Sequence, residues 1–335
     1  MVVLITGGAG YIGSALTKQF LKTGHRVVVV DDLCSSQLKN LPSKADFYQL
    51  DVRCTQNLSQ CIALTTPDLV IHLAALSSPF ASVSAASEFI SVNVDGTESV
   101  LEACEKNGVH RLLFASSASV YGEQPSDSEL NQCKPISPYG ESKLQAEKLI
   151  LKKTDTSSLH SLILRLFNVA GASKAHKSGQ LRKFPYHLVD LCAQAALDLR
   201  NELYIYGQDY ANPDGTTIRD FIHLEDTVQY FYRAALSILD DQHTDTFNCG
   251  SGTESSVLDV IKTMESVAGR RLKVIEKPRR LGDPARLVAQ TKKISTYFNY
   301  NCQVSDLHTI CKSAYDWEAS QINKKLILRS ATDLV

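Results

Sequence analysis

Tyr139 and Lys143 stand four residues apart in the stretch Ser137-Pro138-Tyr139-Gly140-Glu141-Ser142-Lys143. Proline suits the first position of a helix, where its missing N–H has no partner to lose. The serine before it is a good cap. The stretch therefore predicts a helix start, with the phenol and the amine one turn apart on one face. A lone tyrosine holds its proton to about pH 10. A cation one turn away favours the phenolate. With a positively charged cofactor beside it as well, the phenol becomes a general base for work near neutral pH. A Tyr-x-x-x-Lys pair on a helix is also common by chance, so this chemistry requires a cofactor site and a third polar partner elsewhere in the chain.

The cofactor site is predicted at the N-terminus. Residues 2–6 are a short β-branched run, read as a buried strand. Gly7-Gly8-Ala9-Gly10-Tyr11-Ile12-Gly13 follows, then a helical pattern from Ser14 to Leu21, then an apolar run over 26–30 that closes on Asp31-Asp32. Gly7, Gly10 and Gly13 let the chain turn tightly, let backbone approach a pyrophosphate, and let the helix pack on the sheet. The first N–H groups of that helix face the phosphates. Asp31, 18 residues past Gly13, is placed to take both hydroxyls of an adenine ribose, and its charge repels a 2′-phosphate, so the pattern favours NAD over NADP.

The alternation of strand and helix continues. Residues 47–50 lead to Asp51-Val52, a strand end that flanks the adenine. Residues 69–73 are a buried strand whose end, Leu73-Ala74-Ala75, is small enough for the chain to pass close to a cofactor. A helical stretch from about 88 to 106 carries Asn93. Residues 111–115 form a strand that ends in Ser116-Ser117. Ser117 is the third partner: a serine there hydrogen-bonds the same hydroxyl that Tyr139 deprotonates. Strands alternating with helices predict an α/β fold built on a doubly wound parallel sheet of the Rossmann type, with ligands beyond the carboxyl ends of the strands.

With 335 residues, 44% of them hydrophobic, the chain is long enough for two domains, or for one large domain with a lobe. A net charge of -1 gives no bulk attraction to nucleic acid or an anionic membrane. No apolar run reaches the ~18 residues of a membrane span. Val2-Val3-Leu4-Ile5 lacks the basic flank and cleavage site of a signal peptide. The nine cysteines are scattered without a Cys-x-x-Cys pair, so they are read as reduced thiols of a cytoplasmic protein with no metal site.

Thr6-Gly7-Gly8-Ala9-Gly10-Tyr11-Ile12-Gly13, Asp31, Ser117 and the Tyr139/Lys143 pair together resemble the extended short-chain dehydrogenase/reductase superfamily. Within it, the segment from Gly207-Gln208-Asp209-Tyr210 through Asp214-Gly215-Thr216 to Arg219-Asp220-Phe221-Ile222-His223 is similar to that of UDP-glucose (UDP-galactose) 4-epimerases. So are Leu164-Arg165-Leu166-Phe167-Asn168 and Pro278-Arg279-Arg280-Leu281-Gly282-Asp283. The likeness runs from Met1 to about Trp317. It implies NAD contacts from Tyr11, Ile12, Asp31, Asp51, Val52, Asn93, Tyr139, Lys143 and Phe167. It implies UDP-sugar contacts from Ser117, Asn168, His187, Leu188, Tyr206, Arg219, Arg280 and Asp283, with Tyr139 also touching the sugar. Arg219 and Arg280 suit the diphosphate on chemical grounds, since its charge calls for planar, permanently charged donors; the competing reading pairs them with Asp220 and Asp283. The chain departs from the family at Ser77, where the epimerases usually carry a lysine. The position that gates the sugar's 2-substituent falls near Ala285 or Arg286.

The resemblance implies a homodimer that interconverts UDP-glucose and UDP-galactose through a 4-keto sugar, with Ser117, Tyr139 and Lys143 catalytic and NAD tightly held. Another UDP-sugar, N-acetylated or a pentose, is the nearest alternative, and a redox-inactive NAD-binding regulator is a more distant one. The expected layout is a dinucleotide domain over 1–167, with about 222–240 returning to it. A smaller C-terminal α/β lobe for the nucleotide sugar covers 168–221 and 241–319, and 320–335 is a tail. Within the lobe, 171–183 reads as a mobile loop, 184–199 as a helix and 306–317 as the last helix.

Overall fold

The computed structural model describes residues 1–123, 128–175, 177–181, 186–280 and 282–332. Residues 182–185, where the loop over 171–183 ends and the helix over 184–199 begins, lie outside them. So do Leu281 and the last three residues of the expected tail.

Through the first half run β1 (Val2–Thr6), α1 (Tyr11–Lys22), β2 (Arg26–Asp31), β3 (Asp46–Gln49), α2 (Thr55–Thr65), β4 (Leu69–His72), α3 (Pro79–Ser84), α4 (Ala86–Ile90), α5 (Gly96–Lys106), β5 (Arg111–Ser117), α6 (Pro138–Thr156) and β6 (His160–Leu166). The helix expected over 88–106 is two helices joined by a π turn at Ser91–Asp95. The second half holds β7 (Asn168–Ala170), α7 (Leu188–Ala196), β8 (Leu203–Tyr206), β9 (Ile218–His223), α8 (Leu224–Asp240), β10 (Asp245–Cys249), β11 (Glu254–Ser256), α9 (Val257–Ala268), β12 (Val274–Lys277), β13 (Arg286–Leu287), α10 (Lys292–Tyr297) and α11 (Leu307–Thr332).

Seven strands pair in the order β10-β6-β5-β4-β1-β2-β3, all parallel. Their apolar runs are nearly continuous because helices cover both faces. Val3, Ile5, Val27, Val29, Leu113 and Leu164 pack under α1 and α8 with Phe20 and Phe231. Leu4, Val28, Val70, Leu112, Phe114 and Ile163 face the other way, onto Leu58, Ile62, Val100 and Ile150 of α2, α5 and α6. Strand order reverses between β4 and β1, which opens a crevice at the carboxyl edge. Thr6 lies opposite Val30 and His72 there.

Two boundaries are corrected. β10 is the edge strand of the main sheet, paired to β6 from Asp245↔Leu162 to Cys249↔Leu166; the stretch 241–319 is therefore not all lobe. Phe247 and Cys249 are fully buried on the α8 side together with Ile294 of α10. The last helix does not stop at 317 but runs to Thr332, so 320–332 continues α11. The lobe itself is built on short strands: β11, β13 and β7 all pair with β9, and β12 pairs with β8. Val189, Cys192, Ile261, Met264, Ile310 and Ala314 of α7, α9 and α11 share its core. The start of α9 is fixed by a capping box between Ser256 and Asp259.

Candidate active site

The crevice is a cleft of about 730 Å³ that runs from the glycine turn to the lobe. Its floor is the start of α1. A Cβ on Gly13 would lie 2.2 Å from the Gly7 carbonyl oxygen, and one on Gly7 would lie 2.7 Å from Ala74 N. Only glycines allow the turn to close this tightly against Leu73-Ala74-Ala75. Gly10 caps α1 without a side-chain bond, so the first N–H groups of the helix remain available to an anion.

Asp31 is buried and lines the cleft. Its Oδ2 accepts from Ala9 N at 3.0 Å, and its Oδ1 from Leu33 N at 2.9 Å and Ser36 Oγ at 2.7 Å. The carboxylate thus braces the glycine turn, a role its spacing does not announce, and Oδ2 retains one acceptor position for a ribose hydroxyl. Exposed Asp32 accepts from Cys34 N at 3.0 Å. Asp51 is held by the Arg53 guanidinium, Nε to both oxygens at 3.0 Å, and hydrogen bonding to Arg53 lowers its carboxyl below the usual range. Val52 and Phe167 line the same cleft. An uncapped helix start, a turn that excludes side chains and a carboxylate at the end of β2 are together what a dinucleotide requires.

Asn93 is the one expected cofactor residue outside the lining. It is 1% exposed, and its amide donates to the Leu76 oxygen and to Ser142 Oγ while accepting from Leu76 N at 2.9 Å. It supports the cleft wall from behind. Ser77, at the lysine position of the resemblance, shares a 2.6 Å hydrogen bond with the Tyr186 hydroxyl. The Tyr186 and His187 rings lie against each other tilted, with centroids 4.3 Å apart.

The chemistry end is built by α6 and β5. Pro138 opens α6, and Ser137 Oγ accepts from Gly140 N at 3.1 Å. A Cβ on Gly140 would lie 2.4 Å from the Ser119 oxygen, so this glycine allows α6 to press onto the segment after Ser117. Tyr139, Lys143 and Ser117 are all buried and all line the cleft. Lys143 Nζ donates to the Ala115 oxygen at 2.8 Å and lies 4.8 Å from the Phe114 ring centre. Burial lowers this ammonium to about 7, with the Glu147 charge acting the other way. Ser117 Oγ bonds to Ser119 Oγ and accepts from Ser119 N, both at 3.2 Å. His72 is a core residue: its ring nitrogens meet Thr6 and Thr97 hydroxyls at 2.7 and 3.1 Å, and burial lowers it to about 3. His223 caps α8 through its ring.

Asn168, His187, Leu188, Tyr206, Arg219, Arg280 and Asp283 line the lobe side. Arg219 bonds to Asp283 and donates to the Ile218 oxygen at 2.7 Å. Asp220 is no partner of Arg219: it is fully buried and accepts from Ser251 N, Gly252 N and Ala289 N at 2.8, 2.8 and 3.1 Å. The Arg280 guanidinium lies 3.6 Å above the Tyr206 ring centre, and among the described residues no carboxylate pairs with it. Ala285 and Arg286 are exposed, Arg286 pairs with Glu254 at 2.5 Å, and the lining side chain on β13 is Leu287. Of the segment expected to gate the sugar's 2-position, Leu287 is the residue that reaches the cleft.

Arg200 also lines the cleft, with its Nε unpartnered among the described residues. Its polar neighbours Asp198, Asn201 and Glu202 make it read as a surface charge. The described part of the 171–183 loop is tied down rather than free. Lys18 Nζ donates to Ser178 Oγ at 2.8 Å, Glu225 accepts from Ser173 Oγ at 2.9 Å, and Trp317 Nε1 donates to the Gln180 oxygen at 2.8 Å.

A doubly wound α/β sheet with a dinucleotide turn, and a serine, a tyrosine and a lysine buried at its carboxyl edge, defines an NAD-dependent class of short-chain oxidoreductase fold. Residues 3–250 match the family described as "NAD dependent epimerase/dehydratase family". The UDP-glucose 4-epimerase of Halalkalibacterium halodurans is 35% identical over 319 residues, 95% of each chain. The Bifidobacterium longum UDP-glucose 4-epimerase, solved with NAD+ and UDP, superposes with a TM-score of 0.92 at 30% identity, covering 96% of this chain and 99% of its own. The Stenotrophomonas maltophila enzyme, solved with NAD and formylated UDP-arabinopyranose, gives 0.91 at 32% identity, covering 97% and 99%. The chain belongs to the NAD-dependent epimerase/dehydratase family.

Proposed function

We propose that this chain interconverts UDP-glucose and UDP-galactose at the sugar C4. The observation that carries this reading is the burial of Ser117, Tyr139 and Lys143 in the same cleft as the uncapped start of α1 and as Arg280 stacked on Tyr206. Residues 1–167, 222–240 and β10 hold the dinucleotide; 168–221 and the rest of 241–319 hold the nucleotide sugar.

The backbone of Gly7, Gly10 and Gly13, with the N–H groups of Tyr11 and Ile12, takes the pyrophosphate. Asp31 and Asp32 serve the adenine ribose, and Asp51 and Val52 the adenine. Leu73, Ala74, Ala75 and Phe167 shape the passage to the nicotinamide, and Lys143 with Tyr139 holds its ribose. NAD bound there supplies the hydride acceptor and donor for C4. Tyr139 takes the proton from the 4-hydroxyl and later returns it, Ser117 hydrogen-bonds that same oxygen, and the Lys143 cation favours the phenolate. Arg219 and Arg280 fix the diphosphate, with Asp283 orienting Arg219 and Tyr206 under the uracil. Asn168, His187 and Leu188 border the sugar, and Leu287 sets the room around its 2-substituent. With the nucleotide anchored at uracil and diphosphate, the 4-keto ring can swing about its diphosphate link and present its opposite face to the bound NAD.

On this reading the protein is a cytoplasmic homodimer. The dimer rests on resemblance alone, and light scattering decides it. The compartment rests on nine free thiols, five of them buried.

Arg280→Met is expected to raise KM for the UDP-sugar with kcat nearly unchanged. It removes charge-assisted bonds of about 1.5–3 kcal/mol, roughly a 10–100-fold loss of binding. Bonds made equally before and during the reaction appear in KM. An unchanged KM would remove Arg280 from the diphosphate site. The function is tested by proton NMR after incubation with UDP-galactose or UDP-N-acetylgalactosamine, with no NAD added. Conversion of UDP-galactose is expected. Conversion of the N-acetylated sugar alone would overturn the sugar assignment, and no conversion by NAD-loaded protein would favour a regulator.

A further inference from the structure

Beneath the Tyr139–Lys143 face lies a buried ion pair that the chemistry above leaves unused. Glu147 is 1% exposed and Arg165 is 7% exposed. Arg165 grips the carboxylate with two parallel bonds, Nε to Oε1 at 3.0 Å and Nη2 to Oε2 at 2.8 Å. Ser116 Oγ donates to Oε1 as well. Arg165 Nη1 donates to the Tyr121 hydroxyl at 2.9 Å, and that hydroxyl donates to Asn248 Oδ1 at 2.7 Å. The network joins α6, β5, β6 and β10 at the edge of the sheet that forms the cleft. Ser116 precedes Ser117, and Glu147 follows Lys143 by one helical turn.

Buried pairs of this kind are poor stabilisers, since apolar side chains of equal volume often hold a core as well or better. Their position here points to another use. We propose that Glu147 and Arg165 are positioning residues for Lys143: the pair locks α6 to the ends of β5 and β6, and the Glu147 carboxylate holds the buried ammonium in its charged form. The inference rests on the role proposed for Lys143.

The surroundings of Lys143 support it. Burial acts against the ammonium, and the Glu147 charge is what opposes burial. His72 of β4 faces it uncharged, lowered to about 3 by burial and by Lys143 itself. Tyr139 and Glu141 share its helix. Arg165 and Tyr121 are engaged with each other on the Glu147 side. The elements packed against α6 also carry Glu88, Asp95, Glu98, Glu102, Glu105 and Lys106, all exposed, with Arg111 and His160 partly exposed at the starts of β5 and β6; Glu105 pairs with Lys153 at 2.6 Å.

The test titrates Lys143 directly, by NMR of protein carrying 13C at the lysine ε-carbons, with the signal assigned by its loss in Lys143→Met. The parent is expected to titrate at about 7. Glu147→Gln removes the attraction and leaves Arg165 unopposed, so the titration and the alkaline limb of kcat/KM both move at least about one pH unit lower. The double variant Glu147→Met/Arg165→Met should show a smaller shift in the same direction, and it carries the test if Glu147→Gln does not fold. A merely structural brace would lower the melting temperature but leave both profiles at the parent position, and that result overturns the proposal. An inactive parent would instead contradict the proposed function, and the NMR titration would still decide the role of the pair.

Discussion

Tyr139→Phe protein is expected to turn over UDP-sugars about a thousandfold more slowly than the parent, within the range that a positioned acid–base group supplies. It should retain its bound NAD and its affinity for UDP. The substitution removes one oxygen from a ring that is already buried and that meets Phe89 edge-on, with centroids 6.2 Å apart. Packing is preserved, so the loss falls on proton transfer. On the proposed reading, Ser117 would still hydrogen-bond the sugar 4-hydroxyl and Lys143 would still hold the nicotinamide ribose of NAD, yet neither would carry the proton away. Steady-state kcat, NAD released on denaturation and UDP affinity by calorimetry separate the three quantities. A variant with activity within tenfold of the parent would remove Tyr139 from the role of base.

Gly13→Val should abolish cofactor binding. Its Cβ would lie 2.2 Å from the Gly7 oxygen and 2.7 Å from Gly8 Cα, and both obstacles are backbone. A flexible side chain can yield to a new methyl group; a turn closed on itself must open. Opening it shifts the start of α1, whose N–H groups are the proposed pyrophosphate site, and disturbs the bond from Ala9 N to Asp31. Overpacking commonly costs about 1–3 kcal/mol, and a clash against backbone lies at or above the top of that range. If the turn absorbs the strain, NAD affinity falls by about a hundredfold or more, and the purified protein carries little or none. Absorbance of the nucleotide released per chain on heating measures this, with circular dichroism to establish folding. A folded variant with full NAD would mean that the pyrophosphate sits elsewhere.

The parts legible in the sequence are those coded by local spacing. The glycine turn, Asp31 at the end of β2, the capped start of α6 and the turn between Tyr139 and Lys143 each depend on residues within a few positions of one another. The apolar runs of β1, β2, β4 and β5 are long enough to show their type. What was not legible depends on partners far along the chain. Glu147 and Arg165 are 18 residues apart and Tyr121 and Asn248 are 127 apart, and each reads as an ordinary polar residue until the fold brings it to its partner. Asp220, adjacent to Arg219, looks like its counter-ion, yet strand alternation turns neighbouring side chains to opposite faces, and Asp220 anchors backbone from the Ser251 and Ala289 segments instead. The same alternation makes Leu287 rather than Arg286 the lining residue. The described part of the 171–183 loop is tied down by Lys18, Glu225 and Trp317, which no local pattern connects to it.

UDP-galactose carrying deuterium at C4 tests whether a hydride leaves C4 and returns to the opposite face while Tyr139 handles only the proton. UDP-glucose is expected with the deuterium still at C4 and none taken up from solvent, formed without added NAD. Loss of the label to water would mean that C4 is inverted by proton exchange, and would contradict hydride transfer.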